Sequence, residues 1–319
     1  GFIVEPLPFC AFALETWQER NDDVASQQAV DGAWRSRRFR MRLRSPGGHD
    51  MDHHTAFSNP LDDPRLASAV FFPRPDQPFG PTIPGVRDHM VGGPDARIRI
   101  REFPGAKQAP VILFFHGNGE TAADYDHAAA DYAGLPARLF VADYRGYGPS
   151  TGRPSLRALL ADAHTALDEI VRLVAAGGEE APIVVMGRSL GSAPAIELAS
   201  SRPGDVAALV VESGFARIIP LLELLGVPAR RLGVTEEHGP RNLEKMEKVS
   251  LPTLILHAEN DTIIPIEDAE MLFAACRDPA KAFLRLADAG HNDIQFRAGR
   301  RYFDAIRALL GRLSGRLPE

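Results

Sequence analysis

A pentapeptide of the form Gly-x-Ser-x-Gly, at residues 187–191, constrains the fold of this chain more than any other segment. The apolar run 183–186 comes directly before it, and the small residues of 192–199 follow. This order predicts a buried strand, a sharp turn that exposes Ser189, and a helix. Larger residues in place of the two glycines would collide with the strand and the helix. The segment is therefore interpreted as a nucleophile elbow.

Two further polar residues follow apolar runs in the chain order that such an elbow requires. Asp261 lies in the loop after the run 253–257, and His291 comes just beyond the shorter run 282–286. Both runs predict strands of an α/β sheet, and active sites of such sheets gather at the carboxyl ends of the strands. We therefore expect Ser189, Asp261 and His291 to meet there as nucleophile, acid and base.

A glycine-rich loop supplies the next expected part, an oxyanion hole. The apolar run 111–115 predicts a strand buried on both faces, and it ends in His-Gly-Asn-Gly-Glu. We expect the backbone N–H groups of Asn118 and Leu190 to bind the oxygen of a tetrahedral intermediate, where one donor typically lowers the barrier by about 3 kcal/mol. Gly117 and Gly119 are expected to let the substrate approach the backbone closely.

Structural alternatives remain open for several of these residues. Ser189 also suits a helix N-cap, and Asp261 also suits a turn. Glu212 is the rival for the acid, because it stands at the end of the preceding apolar run. His116 and His257 are interpreted as structural histidines of their loops.

Taken together, these motifs resemble those of the α/β-hydrolase superfamily, and most of all those of the small-lid serine hydrolases that include protein depalmitoylases and simple esterases. The matching segments are residues 116–120, 143–150, 187–191, 260–265 and 290–293. The resemblance implies catalysis without a metal or an organic cofactor. Two departures are Ala258, where many relatives have glycine, and Arg188, where histidine or tyrosine is more common.

The alternation of apolar and helical segments predicts the same α/β fold, with a mostly parallel central sheet covered by helices on both faces. The predicted strands are residues 98–103, 111–115, 139–142, 183–186, 207–211, 253–257 and 282–286. The clearest helix covers residues 155–176, with Ser155 as its cap and Gly177 as its stop. A single last helix is predicted over residues 294–313.

A small lid is expected at about residues 213–250, in the connection after the strand 207–211. A lid this short predicts an open cleft, with Phe215 and Ile218 in a shallow groove for an acyl group. The alternative is that these apolar side chains are core that covers the sheet.

The first 58 residues form an extension of different character. Residues 35–44 hold six arginines, and residues 49–54 hold a His/Asp cluster. We interpret both as solvated tail rather than as an anionic-surface contact or a metal site. The extension of residues 1–58 is expected to be disordered or not native. Because Met51 is a plausible natural start, residues 1–50 are expected not to belong to the functional protein. Residues 59–319 are expected to form the catalytic domain.

Composition narrows the possible partners of this 319-residue chain. Its net charge of −6 argues against a nucleic-acid partner, and no apolar run approaches the length of a membrane span. Cys10 and Cys276 make no disulfide framework, which fits a reducing, cytoplasmic compartment.

Hydrolysis of a small acyl ester is the function that the sequence favours. Esters and thioesters have better leaving groups than amides, so a carboxylesterase comes before an acyl-thioesterase, and both come before a peptidase. A catalytically silent binding module of the same fold is the alternative from another class. The intact Ser–Asp–His set argues against it.

Overall fold

The structure, a computed structural model, describes residues 59–77, 83–106, 108–178 and 180–313. The extension of residues 1–58, with its arginine run and its His/Asp cluster, lies outside the described residues. The described part is built around one sheet of eight strands.

The sheet confirms the predicted α/β fold. Its strands are β1 (Arg87–Gly92), β2 (Arg97–Glu102), β3 (Val111–Phe115), β4 (Arg138–Ala142), β5 (Ile183–Arg188), β6 (Ala208–Glu212), β7 (Thr253–Ala258) and β8 (Ala282–Leu286). Their order across the sheet is β1-β2-β4-β3-β5-β6-β7-β8. The pairs β1–β2 and β2–β4 are antiparallel, and every pair from β4 to β8 is parallel.

Helices cover both faces of this sheet. In the part of the chain that the structure describes they are α1 (Pro64–Val70), α2 (Ala129–Ala133), α3 (Leu156–Ala176), α4 (Ser192–Ser201), α5 (Ile218–Leu224), α6 (Asn242–Met246), α7 (Ile266–Ala275), α8 (Ile294–Ala298) and α9 (Arg300–Leu313). One hydrophobic core includes residues of α3 and α4, and a second core includes residues of α2 and α9.

The side chains of β3 alternate between these two cores. Val111, Leu113 and Phe115 belong to the core with α3 and α4, whereas Ile112 and Phe114 belong to the core with α9. Successive side chains of a strand point to opposite faces, and helices cover both faces here. That is why the sequence of this strand is apolar without interruption.

Two helix ends test the predicted boundaries. Ser155 caps α3, since its Oγ accepts a hydrogen bond from the Ala158 N–H at 3.1 Å, and the helix ends at Gly177 as predicted. The predicted single helix over residues 294–313 is wrong. It is divided into α8 and α9 at Gly299, whose φ of 51° lies in the left-handed region, where a right-handed helix cannot continue.

The strand β1 was not predicted from the sequence. It is an edge strand that pairs Arg87 with Glu102 and Gly92 with Arg97, and none of its residues is buried. A solvent-facing edge tolerates charged residues, so the segment lacks the apolar run that marks the central strands.

A buried ion pair joins β2 to the loop after β4. Arg99, which is 1% exposed, donates from Nε to Asp143 Oδ2 at 2.6 Å and from Nη2 to Asp76 Oδ1 at 2.8 Å. Its backbone N–H donates to Ser150 Oγ at 2.9 Å. One guanidinium thus holds the segment before β1, the antiparallel edge and the loop after β4 together.

We predict that Arg99→Met lowers the free energy of unfolding by about 3 kcal/mol, because Asp143 is left buried without its cationic partner. Urea unfolding measures this difference. The matched control is Arg172→Met, which removes a largely exposed ion pair with Glu169 on α3 and should leave the midpoint unchanged. Equal midpoints for Arg99→Met and wild type would contradict the prediction.

Candidate active site

The carboxyl ends of the parallel strands bring the predicted site residues to one edge of the sheet. The residues at or just after the ends of β3 to β8 are His116, Asp143, Ser189, Glu212, Asp261 and His291. This is the edge at which open α/β sheets bind their ligands.

Ser189 stands on a strained turn between β5 and α4. Its φ is 51°, in the left-handed region that a residue with a side chain rarely adopts. A Cβ atom at Gly191 would lie 2.0 Å from the Phe115 carbonyl oxygen, and one at Gly187 would lie 2.0 Å from the Gly191 carbonyl oxygen. The turn is therefore packed backbone against backbone, and only glycine fits two positions before and two positions after the serine.

Two hydrogen bonds join Ser189, His291 and Asp261. His291 Nε2 lies 2.9 Å from Ser189 Oγ, and His291 Nδ1 lies 2.7 Å from Asp261 Oδ2. When Nδ1 carries the proton and donates a hydrogen bond to the carboxylate, Nε2 keeps a lone pair directed at the serine hydroxyl. The arrangement can therefore activate a serine, with one group to take its proton and a third group to orient that base.

The loop around Asp261 keeps this carboxylate ionised. Oδ1 accepts hydrogen bonds from the N–H groups of Ile263 at 2.9 Å and Ile264 at 2.8 Å. Burial alone would raise the pKa of Asp261, but the charge of His291 and its hydrogen bond outweigh burial and hold the pKa below its ordinary value. His257 Nε2 bonds to the Ile264 carbonyl at 2.8 Å, and burial lowers the pKa of His257. His257 therefore supports the loop, as interpreted from the sequence.

Asn118 fixes the glycine-rich loop to the segment before β1. Its Oδ1 accepts from the Phe72 N–H at 3.1 Å and the Tyr147 hydroxyl at 2.7 Å, and its Nδ2 donates to the Val70 carbonyl at 2.6 Å. Because these three hydrogen bonds hold the Asn118 side chain, they also restrict the position of its backbone. The use of the Asn118 and Leu190 amides as an oxyanion hole stays a prediction.

The two glycines beside Asn118 are anchored through their backbone groups. The Gly117 N–H donates to Glu120 Oε2 at 2.8 Å, and the Gly119 carbonyl accepts from Arg74 Nε at 2.6 Å. The Gly117 amide is thus occupied within the protein. The contact of both glycines with a substrate stays a prediction.

A buried charge cluster behind the elbow was missed by the sequence analysis. Arg188 Nη1 donates to Glu120 Oε1, and Arg188 Nε lies 3.3 Å from Glu212 Oε1. Tyr125 donates to Glu120 at 2.8 Å, and Tyr302 donates to Glu212 at 2.6 Å. The only available signal was an arginine at a position where histidine or tyrosine is more common, because the partners are far apart in the chain.

The same cluster decides between the two candidate acids. Both oxygens of Glu212 are taken, one by Arg188 and one by Tyr302, whereas Asp261 is the carboxylate bonded to His291. Burial raises the pKa of Glu212, and the charge of Arg188 offsets this only in part. Asp261 therefore occupies the position of the orienting acid.

The predicted acyl groove is not formed by the residues assigned to it. Phe215 and Ile218 are 1% and 2% exposed and belong to the hydrophobic core. Asn242 Nδ2 donates to the Phe215 carbonyl at 2.8 Å, and Glu236 accepts from the Ile218 N–H at 2.8 Å. Assigning these two side chains to a substrate groove was wrong, because a segment this short buries its apolar side chains against the domain. The core alternative is correct.

Within the described ranges, no grouping of three His, Cys, Asp or Glu side chains is placed to hold a metal ion. No helix among the residues that the structure describes has the length and apolar character that crossing a membrane requires.

Comparison with known proteins agrees with this fold. The family described as serine aminopeptidase, S33, matches residues 106–234. An uncharacterised protein of Mycobacterium tuberculosis is 33% identical over 76% of this chain and 85% of its own length. Alpha/beta hydrolase domain-containing protein 17B of Xenopus laevis is 32% identical over 61% of this chain and 64% of its own. An esterase of Pyrococcus furiosus has a similar fold, with a TM-score of 0.60 at 15% identity, over 75% of this chain and 96% of the esterase.

The eight-stranded sheet and the turn at Ser189 define the α/β-hydrolase fold. The chain belongs to the α/β-hydrolase superfamily. Residues 106–234 are similar to the family described as serine aminopeptidase, S33.

We predict that Gly191→Ala lowers the free energy of unfolding by about 3 kcal/mol, because the new Cβ atom overlaps the end of β3. Thermal unfolding measures the change. Gly204→Ala is the matched control, since a Cβ atom there has no neighbour within 4 Å. A Gly191→Ala protein as stable as Gly204→Ala would show that the turn is not closely packed.

The lowered pKa of Asp261 predicts a pH-dependent contribution to stability. A carboxyl with a depressed folded-state pKa stabilises the protein above its unfolded pKa, about 3.9 for aspartate, and loses that contribution as the pH falls through the folded value. Asp261→Asn should therefore cost about 2 kcal/mol near neutral pH, and this cost should shrink below about pH 4. Urea unfolding of both proteins across this range checks the prediction. A cost that stays constant with pH would contradict it.

Proposed function

We propose that this protein is a serine hydrolase that cleaves carboxylic esters through an acyl-enzyme intermediate. The observation that carries the proposal is the chain of hydrogen bonds from Ser189 through His291 to Asp261, at 2.9 and 2.7 Å, with the serine half-buried on a strained turn. Membership of the α/β-hydrolase superfamily supports it.

In the first half-reaction, Ser189 Oγ attacks the carbonyl carbon of the ester while His291 Nε2 takes the hydroxyl proton. Asp261 holds the imidazole through Nδ1 and stabilises the imidazolium that forms. Collapse of the tetrahedral intermediate breaks the bond to the alcohol oxygen, and His291 returns the proton to this leaving group. The serine is then esterified with the acyl group.

The negative oxygen of the intermediate needs donors that are already in place. We assign this role to the backbone N–H groups of Asn118 and Leu190, which flank the ends of β3 and β5. The side-chain bonds of Asn118 fix its backbone before the substrate arrives, so little reorganisation is needed when charge develops.

In the second half-reaction, water takes the place of the alcohol. His291 Nε2 removes a proton from the water, which attacks the acyl carbon, and then returns the proton to Ser189 Oγ as the acid leaves. Ser189, His291 and water thus account for every proton and leaving group in both half-reactions.

The charges around the site favour an ester over a peptide with a free amino terminus. Recognition of an ammonium group needs an unpaired carboxylate near the nucleophile. Glu120 and Glu212, the acids behind the elbow, are both paired with Arg188, and Asp293 is bonded to the Gly290 N–H at 2.7 Å. These carboxylates are therefore committed within the protein, although the matched family is described as serine aminopeptidase.

We predict that Ser189→Ala reduces kcat for p-nitrophenyl acetate by roughly 10⁶-fold, which places it below detection, while the fold is retained. Assays with p-nitrophenyl esters from acetate to palmitate, beside the matching acyl-thioesters, measure the activity. Wild type should prefer short acyl chains, because Phe215 and Ile218, the side chains expected to line a groove for the acyl group, lie in the core.

Ser201→Ala is the matched control, because its hydroxyl lies on α4 and donates only to the Glu197 carbonyl among the described contacts. It should keep wild-type rates. Turnover by Ser189→Ala equal to wild type would refute the proposed mechanism, and a preference for thioesters would move the substrate class to acyl-thioesters.

A further inference from the structure

We propose that Arg188 is a positioning residue, which holds the loop of His291 and the glycine-rich loop of Asn118 at their working separation. The proposal rests on the proposed hydrolytic function, because it gives Arg188 a part in the same reaction. The residue immediately precedes Ser189, so the elbow itself carries the connection.

The guanidinium of Arg188 contacts the loop that carries the base. Its Nη2 donates to the His291 carbonyl oxygen at 3.1 Å and to Asn292 Oδ1 at 3.1 Å. These contacts reach His291 through its backbone and not through the imidazole ring. Arg188 therefore fixes where the ring is attached and leaves both ring nitrogens to Ser189 and Asp261.

The opposite side of the guanidinium contacts the glycine-rich loop. Nη1 donates to Glu120 Oε1, and Glu120 Oε2 accepts from the Gly117 N–H at 2.8 Å. The guanidinium also packs against Gly117, where a Cβ atom would lie 2.3 Å from Nη1. Gly117 directly precedes Asn118, whose amide is assigned to the oxyanion. Arg188 thus connects the base on one side with the oxyanion loop on the other.

Glu212 forms the third contact of the guanidinium. Its Oε1 lies 3.3 Å from Arg188 Nε, and its Oε2 accepts from the Tyr302 hydroxyl at 2.6 Å, which ties the cluster to α9. The Arg188 side chain is 12% exposed. Burial alone would raise the pKa of Glu120, yet the charge of Arg188 holds it below its ordinary value, so this pair is ionised within the protein.

Arginine, unlike lysine, suits the contacts made at this position. A guanidinium is planar and has five donors in fixed directions, so it can contact the His291 loop, Glu120 and Glu212 at once, whereas a lysine ammonium is a point charge on a flexible stem. We therefore expect Arg188→Lys to keep the charge and lose the alignment.

The test compares Arg188→Met, Arg188→Lys and the double variant Arg188→Met/Glu120→Gln with wild type. The double variant removes the charge of Glu120, one of the two buried carboxylates that Arg188→Met would leave without a cationic partner, so it serves if the single variant does not fold. Misalignment by about 1 Å can cost about 10²-fold, so we expect kcat for p-nitrophenyl acetate to fall by about that factor in all three, with KM within about threefold of wild type. Arg172→Met is the control, because Arg172 pairs with Glu169 on α3 and not with a residue of the site, and it should retain full activity.

Rescue separates positioning from a purely structural role. Methylguanidinium added to Arg188→Ala should restore part of kcat, whereas urea at the same concentration should not. Variants that unfold at lower temperature but keep kcat within about threefold of wild type at a temperature where they are folded would overturn the proposal.

A second measurement does not depend on activity. The Nδ1 proton of His291, bonded to Asp261, should give a far-downfield proton resonance in wild type that is lost in His291→Gln. In the Arg188 variants this resonance should broaden or disappear, while in Arg172→Met it should remain. If wild type shows no Ser189-dependent hydrolysis, the proposed function fails and this resonance alone decides the role of Arg188. An unchanged resonance in folded Arg188→Met would refute it.

Discussion

The close approach of the elbow backbone to the end of β3 is the constraint on which the rest of the site depends. Gly191 lies where any side chain would overlap the Phe115 carbonyl, and Ser189, two residues earlier, is in the left-handed region. The strain is tolerated because β5 and α4 are packed on both sides of the turn. As a result, the serine hydroxyl is presented at the sheet edge where the loops of Asp261 and His291 also end.

Around this edge, buried charges hold the loops that the sheet alone does not fix. Arg99 ties the segment before β1 to Asp143, and Arg188 links the loops on either side of the elbow. Buried ion pairs add little net stability, yet losing one partner is costly, so they favour a single arrangement over alternatives. In this protein that arrangement is the one that aligns Ser189 with His291.

Much of the fold and the central site was accessible from the sequence because its signals are local. The central strands are apolar on both faces. Ser189 and Asp261 each follow such a strand, and His291 follows the edge strand β8, in the order that the elbow requires. The structure places His291 within hydrogen-bonding distance of both Ser189 and Asp261. Chain order and strand ends were sufficient for that prediction.

The features that sequence reasoning missed depend on contacts between distant segments. The polar edge strand β1 has no apolar pattern, and the burial of Phe215 follows from packing that a single segment does not reveal. The partners of Arg188 lie 68 and 104 residues away, at Glu120 and Asn292. No pattern of spacing marks such a cluster, although the uncommon arginine in the elbow was visible.

Covalent labelling with a serine-reactive fluorophosphonate tests the central claim most directly. Intact-mass analysis of the labelled protein should show one adduct, and peptide mapping should place it on Ser189. His291→Gln should label far more slowly, because the serine then has no base. A folded wild-type protein that forms no adduct, or one that is labelled at another residue, would contradict the account of Ser189 as an activated nucleophile.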